Sequence, residues 1–257
     1  MSVRPQGGAR FFFVTGAMPC PYLKGRIERR VVTELVTEDA ERAYEGLSRA
    51  GFRRSHGLAY APACPDCSSC VPVRVRARDF KRSRSQKRVW KLNADLVAET
   101  LAPNATAEQF ALFAAYQKSR HGDGDMARME YFDYQALVEE TPVATDVVEF
   151  REPEGRLLGV SLLDRLADGY SAVYSVFDPQ EHRRSLGKYM ILWSIEEARR
   201  LGLPFVYLGF WIAESPKMAY KSAFRPLETH DAGGWRPIEF ADEVTSPEPV
   251  PLSLIMG

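Results

Sequence analysis

Residues Ser171–Leu227 read SAVYSVFDPQEHRRSLGKYMILWSIEEARRLGLPFVYLGFWIAESPKMAYKSAFRPL. The stretch divides into a strand, a basic turn, an amphipathic helix, a second strand and a polar loop rich in Lys and Tyr. Leu186, Tyr189, Met190 and Trp193 recur at helical spacing. Arg199-Arg200 suit the helix C-terminus, Gly202 supplies the stop and Pro204 lies beyond it. The basic turn therefore opens a helix, whose free N–H groups and partial positive charge favour an anion.

Working outward from this unit, strands are expected at Val147–Phe150, Leu157–Asp164, Gly169–Phe177 and Phe205–Ile212. Helices are expected from a Thr106–Gln109 capping box to Arg120, stopped by Gly122, and at Asp133–Glu140. Towards the N-terminus, Phe11–Val14, Arg29–Val36 and Phe52–Tyr60 read as strands and Glu38–Ala50 as a helix. Val71, Val73, Val75 and Ala77 alternate with Arg74, Arg76 and Arg78, the period of a strand with one buried face. The expected organisation is a strand-rich N-terminal domain (1–80) carrying a cysteine cluster, a basic connector (81–101), a mixed α/β domain (102–231) and a Pro-rich acidic tail (232–257).

The 257 residues suffice for one or two domains, and 45% hydrophobic with 26% charged residues is ordinary for a soluble protein. With 34 basic and 34 acidic residues, only local clustering of charge is informative. No run approaches the roughly 18 apolar residues that cross a bilayer. FFFVTGAMPC, after Arg10, is too short for an export signal and is followed by KGRIERR. A cytoplasmic protein without disulfides is expected.

Three cysteines form Cys64-Pro-Asp-Cys67-Ser-Ser-Cys70, and Cys20 is the one remaining thiol. Four thiolates suit zinc or an iron–sulfur cluster, and reduced structural thiols are the alternative. Arg74 to Lys91 holds nine Lys or Arg against one acid. Arg74, Arg76, Arg78, Lys81, Arg82, Arg84, Lys87 and Arg88 are thus candidates for an RNA backbone, the alternative being a solvated linker.

Coenzyme A-dependent acetyltransferases carry R/Q-x-x-G-x-G/A at such a turn, and here it reads Arg184-Ser-Leu-Gly187-Lys188-Tyr189. Tyr189 in the last position disfavours coenzyme A while leaving the anion site, although its spacing also suits a core aromatic.

Several collinear blocks resemble the aminoacyl-tRNA–protein transferases of the N-degron pathway. They are Cys20-Pro-Tyr-Leu, CPDCSSCVPVRV, SRSQKRV with Asn93 and Asp95, YQKSRHGDGDM, YSVFDP, RSLGKYMILWSIEEAR, YLGFWI and SPKMAYKSAFRPLE. The resemblance is to the bacterial branch, which transfers leucine to N-terminal Asp or Glu, and to the eukaryotic arginyl-transferases. It implies an N-acetyltransferase-like mixed sheet with flanking helices, an aminoacyl-tRNA donor, acceptors with N-terminal Asp or Glu, marking for degradation, and no coenzyme A. It also draws attention to the cysteines, because eukaryotic relatives hold an iron–sulfur cluster with N-terminal cysteines at another spacing.

Such a reaction requires no cofactor for its chemistry. The acceptor carboxylate demands a cation, and Arg120, Lys217, Lys221 and Arg225 are candidates. His121 or Asp125 would relay the amine proton. Tyr174 and Ser175 lie on the strand before the turn, where substrate sits in this fold. Arg183, Arg184 and Lys188 would meet the tRNA 3′ end. Phe210, Trp211 and Met126 could line a leucyl pocket, whereas Glu214 would suit arginine. An arginyl donor, a coenzyme A acetyltransferase and a metal-stabilised RNA-binding module are the competing readings.

Overall fold

The computed structural model describes residues 10–35, 38–121 and 124–238, without the side chains of His121 and Asp125. Its strands are β1 (Phe13–Val14), β2 (Met18–Pro19), β3 (Ile27–Glu28), β4 (Arg30–Glu34), β5 (Arg53–Ser55), β6 (Leu58–Pro62), β7 (Val71–Arg76), β8 (Val97–Leu101), β9 (Thr145–Arg151), β10 (Leu157–Leu166), β11 (Gly169–Phe177), β12 (Phe205–Trp211), β13 (Leu227–Asp231) and β14 (Gly234–Pro237). The helices are α1 (Ala40–Arg49), α2 (Arg84–Leu92), α3 (Ala107–His121), α4 (Tyr131–Glu139) and α5 (Leu186–Arg200), with 3-10 turns at Asp125–Arg128 and Ala219–Ala223.

The expected mixed α/β architecture is present. An eight-stranded sheet runs β14-β13-β7-β12-β11-β10-β9-β8. Within it β11 and β12 pair in parallel and the other neighbours are antiparallel. One face is covered by α5, whose Leu186, Tyr189, Met190, Leu192 and Ile195 share a core with Val75, Val148, Phe150, Leu158 and Val206. On a second core, Phe113 of α3 and Tyr134, Leu137 and Val138 of α4 meet Val147, Val160, Leu162 and Val176. Strands covered on both faces lose the alternation of polar and apolar residues. Thus β10 is buried at every position but Arg165.

A smaller sheet, β1-β4-β6-β5, packs with α1 against the large one through Leu35, Tyr44, Ala59, Val143, Leu166 and Tyr207. Arg54 ties the two together. Its guanidinium donates to both carboxylate oxygens of Asp164 at 2.8 and 2.7 Å, and Thr145 Oγ1 donates to the same carboxylate at 2.8 Å. Both charged side chains are almost wholly buried.

Four features differ from expectation. Residues 52–60 do not form one strand, because His56-Gly57 turns the chain between β5 and β6. β7 does not belong to a separate N-terminal unit but lies between β12 and β13 in the large sheet. The segment 81–101 is not a plain connector: it folds into α2, with a Ser83–Gln86 capping box, and into the edge strand β8. Residues 234–237 are not tail but the strand β14, whereas 239–257 lie outside the described residues. The Thr106–Gln109 capping box is formed, each residue accepting from the other's backbone N–H at 3.2 Å. No described helix is long and apolar enough to cross a membrane.

Replacing Asp164 by Ala strands a buried guanidinium, so it should destabilise the fold by about 3–5 kcal/mol. Urea unfolding measures this, and a loss below about 1 kcal/mol would mean that Arg54 does not hold the two sheets together.

Candidate active site

β11 leads into the turn 178–185 and then α5, so the sequence Phe177–Lys188 forms one wall of a cleft. The opposite walls come from α3, with Tyr116 and Arg120, and from the loop after β12, with Pro216, Lys217 and Tyr220. The cleft encloses about 470 Å³. Gly187 is required at its base, since a Cβ there would approach the Phe177 ring to 2.9 Å.

The turn is clamped from α2 and its C-terminal flank. Asn93, fully buried, donates from Nδ2 to the carbonyls of Val89 (2.8 Å) and Arg184 (2.9 Å). Arg184 makes two 2.9 Å bonds to Asp95 and a 3.0 Å bond to Glu152, and it lies 3.5 Å from Glu181. Arg184 holds the Asp95 carboxyl below its ordinary pKa. Gln86 of the same segment donates to Ala223 O at 2.9 Å and so anchors the loop on the other side of the cleft.

The expected cations separate into two groups. Arg120, Lys188 and Lys217 line the cleft and are exposed, the Arg120 guanidinium lying 5.7 Å from the Phe177 ring centroid. Arg183 is exposed but does not line it. Arg184, expected to meet phosphate, is instead occupied by three carboxylates. Lys221 is buried, donating to Phe210 O at 2.6 Å, and Arg225 is exposed, with Nε donating to Ser222 O at 3.3 Å. Trp211 is half-buried, and its indole N–H donates to Ala219 O at 3.2 Å, which ties the loop back onto β12.

On β11, Ser175 Oγ lies 2.9 Å from Ser161 Oγ, and Tyr174 accepts a hydrogen bond from Gln117. Burial pushes the Tyr174 hydroxyl up to about 12. It therefore keeps its proton at neutral pH and is available as a donor rather than as a base. The side chains of His121 and Asp125 lie outside the described residues. Phe210, Trp211 and Met126 belong to different clusters: Phe210 lines the cysteine pocket, Trp211 packs against the α5 core and Met126 against the α3–α4 core.

Two readings of basic and aromatic residues are corrected. Arg74, expected on a solvent face, is buried and bonded to Glu228 (2.7 Å) and Tyr207 (3.1 Å), because β7 is covered on both faces. Tyr189 faces inward against Trp90 and Phe150, so it does not crowd the turn, and its size is no evidence against coenzyme A. Arg82 bonds Glu196 at 2.7 Å and lies over Trp90, while Arg76 pairs with Asp79 and Arg78 donates to Gly202 O at 2.7 Å. Lys81, Arg84, Lys87 and Arg88 remain exposed and form no ion pair among the described residues.

Cys20, Cys64, Cys67 and Cys70 line one small pocket with Tyr22, Tyr60 and Phe210. Burial, and then the charges of the other three cysteines, push the Cys70 thiol up to about 12. Hydrogen bonds from Ser69 and then Arg26 hold Cys67 low, Arg26 Nη1 lying 3.1 Å from its sulfur. As placed, no group of three or more ligating side chains among the described residues has the geometry to hold a metal ion. The cysteine loop touches the cleft loop, with Ser69 Oγ donating to Glu214 at 3.5 Å.

Residues 18–88 match the family model described as arginine-tRNA-protein transferase, N terminus, and residues 108–231 match its C-terminus model. The chain belongs to this family. It is 54% identical to the aspartate/glutamate leucyltransferase of Paramagnetospirillum magneticum over 88% of this chain and 93% of that one. It is 53% identical to that of Granulibacter bethesdensis (93% and 88%) and 53% identical to that of Rhodospirillum rubrum (91% and 96%). Among solved structures it is similar to FemX, with 13% identity, a TM-score of 0.40 and coverage of 71% of this chain and 63% of that one. It is also similar to L-PGS from Bacillus licheniformis, with 8% identity, a TM-score of 0.44 and coverage of 56% and 47%. Likeness at that level carries no functional weight.

Sequence reasoning missed Gln86 as an anchor of the cleft loop and Tyr116 and Tyr220 as cleft walls; nothing local in their sequence marks them. Replacing Asn93 by Ala removes two bonds from a buried side chain, so it should cost about 1–3 kcal/mol in urea unfolding. It should also speed amide exchange at residues 184–188. Unchanged exchange there would show that the turn does not depend on Asn93.

Proposed function

We propose that this chain transfers leucine from leucyl-tRNA to the α-amino group of proteins that begin with Asp or Glu, marking them for degradation in the cytoplasm. The observation that carries this is 54% identity, over 88% of this chain and 93% of the relative, to an aspartate/glutamate leucyltransferase. The cleft at the head of α5 supports it, because the cations Arg120, Lys188 and Lys217 meet a helix N-terminus there, as a tRNA 3′ end requires.

The chemistry asks little of the protein. The donor is an ester, already activated. The acceptor α-amine has a pKa of about 7.7–8.0, so a useful fraction is neutral without a strong base. The amine attacks the ester carbonyl, an oxyanion forms, and the ribose hydroxyl leaves. What remains is to hold two substrates and stabilise negative charge. Lys188 and Lys217 are proposed to meet the terminal phosphates and Arg120 to supply further positive field from α3. The Tyr174 hydroxyl, still protonated, is a candidate donor to the oxyanion, beside Ser175. His121 or Asp125 is the candidate carrier of the amine proton. The exposed cations Lys81, Arg84, Lys87 and Arg88 would extend the tRNA surface along α2. The four cysteines, brought to one pocket, are the proposed donor set for zinc or an iron–sulfur cluster, which would brace the fold and take no part in the transfer.

A transfer assay tests the reaction. Labelled leucyl-tRNA or arginyl-tRNA is mixed with the protein and with peptides starting in Asp, Glu, Lys or Ala. Leucine should move to the Asp and Glu peptides alone. Transfer from arginyl-tRNA would replace the donor, and a thermal shift with acetyl-coenzyme A together with no transfer would replace the reaction.

Replacing the exposed Arg120 by Ala should lower kcat/KM for transfer by about a hundredfold, roughly 2.7 kcal/mol, with an unchanged melting temperature. Full activity would remove Arg120 from the site. Metal analysis of anaerobically purified protein should find zinc or iron, and Cys70→Ser should lower both metal content and melting temperature. Metal-free, fully stable protein would leave the thiols structural.

A further inference from the structure

β11 and β12 are paired only where Gly169–Ser171 meets Phe205–Tyr207. The register of β12 shifts between Tyr207 and Gly209, Gly209 has φ +74°, and from there the two strands part. Two cations enter the resulting gap from opposite ends of the chain. Arg53, on β5 of the small sheet, donates to Ser171 Oγ at 3.3 Å and to the Ala172 carbonyl. Its side chain crosses Gly209 so closely that a Cβ there would lie 2.7 Å from Nε. Lys221, in the 3-10 turn of the cleft loop, is 7% exposed and donates to Phe210 O at 2.6 Å, with Met218 Sδ at 3.7 Å. The two cations thus rest on consecutive residues of β12.

Every partner just named is neutral. Elsewhere in this protein a buried cation has a carboxylate, as Arg54 has Asp164 and Arg74 has Glu228. Arg53 and Lys221 form no ion pair among the described residues. Burial, and then the Arg53 charge, pull the Lys221 ammonium down to about 7, with Cys70 acting in the opposite direction. Keeping both groups charged side by side, one of them nine-tenths buried, is costly, and an anion that joined them would hold Lys221 in its protonated form.

We infer that Arg53 and Lys221 form an anion subsite in the gap between β11 and β12, whose ligand is the side-chain carboxylate of the acceptor's N-terminal Asp or Glu. The inference rests on the acceptor class proposed above and adds to it the place where that class is recognised. The subsite is tied to the cleft through one short turn, because Lys221 directly follows Tyr220, which lines the cleft. A side-chain carboxylate has one attachment and can end in a closed gap, whereas a phosphodiester must enter and leave. The guanidinium fork matches a carboxylate edge and the ammonium completes its neutralisation. Anchored there, an Asp or Glu side chain holds its own α-amine a few bonds away, at the cleft.

The test is binding of the dipeptide Asp-Ala to the full-length protein by calorimetry, alongside KM values for Asp-peptide and leucyl-tRNA. Arg53→Gln and Lys221→Met should each weaken Asp-Ala binding, and raise the acceptor KM, by about tenfold or more. The KM for leucyl-tRNA should stay within about twofold, and Lys221→Met should melt no lower than the parent, since it replaces a buried amine by an apolar chain of similar size. Lys221→Arg, which keeps the charge, should retain most of the binding. Asn-Ala should bind the parent no better than Asp-Ala binds the variants. If Lys221→Met does not fold, Arg53→Gln alone decides. A raised leucyl-tRNA KM with unchanged Asp-Ala binding would give the pair to a donor phosphate and overturn the subsite, as would unchanged values for both substrates. Parent protein that binds Asp-Ala through this pair yet transfers nothing from either tRNA would keep the subsite and overturn the reaction instead.

Discussion

The hydrogen-bond ladder that places β7 between β12 and β13 is the constraint on which the rest of the molecule depends. Val71 pairs with Trp211, Val75 pairs with Val206, and Leu227 also meets Val75. A strand from the first third of the chain therefore sits inside a sheet otherwise built from the last two thirds. The cysteine loop, which runs into β7, is consequently brought beside the loop that leaves β12. Phe210 lines the cysteine pocket on one side and gives its carbonyl to Lys221 on the other. Any change in the cysteine pocket is thereby one side chain away from the cleft loop, with Ser69 and Glu214 as a second link.

Charge in this protein divides by depth. Paired cations do structural work: the buried Arg54 fastens two sheets, the buried Arg74 fastens β7 to β13, and the half-buried Arg184 fastens the turn to Asp95 and Glu152. Exposed ion pairs of the kind seen at Arg200–Glu197 add little, because water screens them. Among the described residues, exposed cations without an ion pair lie on the cleft rim and on α2. A chain that is neutral overall can in this way present a local positive surface.

Local pattern made the second half of the fold legible. β11 has the bounds expected from sequence, β12 ends one residue short of them, and α5 ends at Arg200 as expected, because helical periodicity, Gly202 and Pro204 are all written locally. The Thr106 cap was equally readable. What sequence could not show was pairing at a distance. Alternation in 71–78 identified a strand, and Val73, Val75 and Ala77 are buried as expected, but alternation alone could not reveal that the Arg74 face is covered as well. Charge density likewise marked 81–91 as basic, whereas its organising residues are the polar Gln86 and the adjoining Asn93, which carry no charge pattern. Arg120, Lys188 and Lys217 were named from sequence and do line the cleft. Arg53 was not, since nothing in FRRSH distinguishes it from its neighbour Arg54, and only the fold sends one to a carboxylate and the other into the gap.

That division between Arg53 and Arg54 follows from strand geometry. Successive side chains on β5 point to opposite faces. Arg54 faces Asp164, 110 residues away, and closes a buried pair. Arg53 faces β11 and β12 where they part, and meets only neutral groups. The parting itself stems from Gly209: its left-handed backbone shifts the register of β12 and its missing side chain leaves room for the arginine. A larger residue at 209 would therefore remove both the bend and the space together, so the gap and the cation within it are one feature of the fold rather than two.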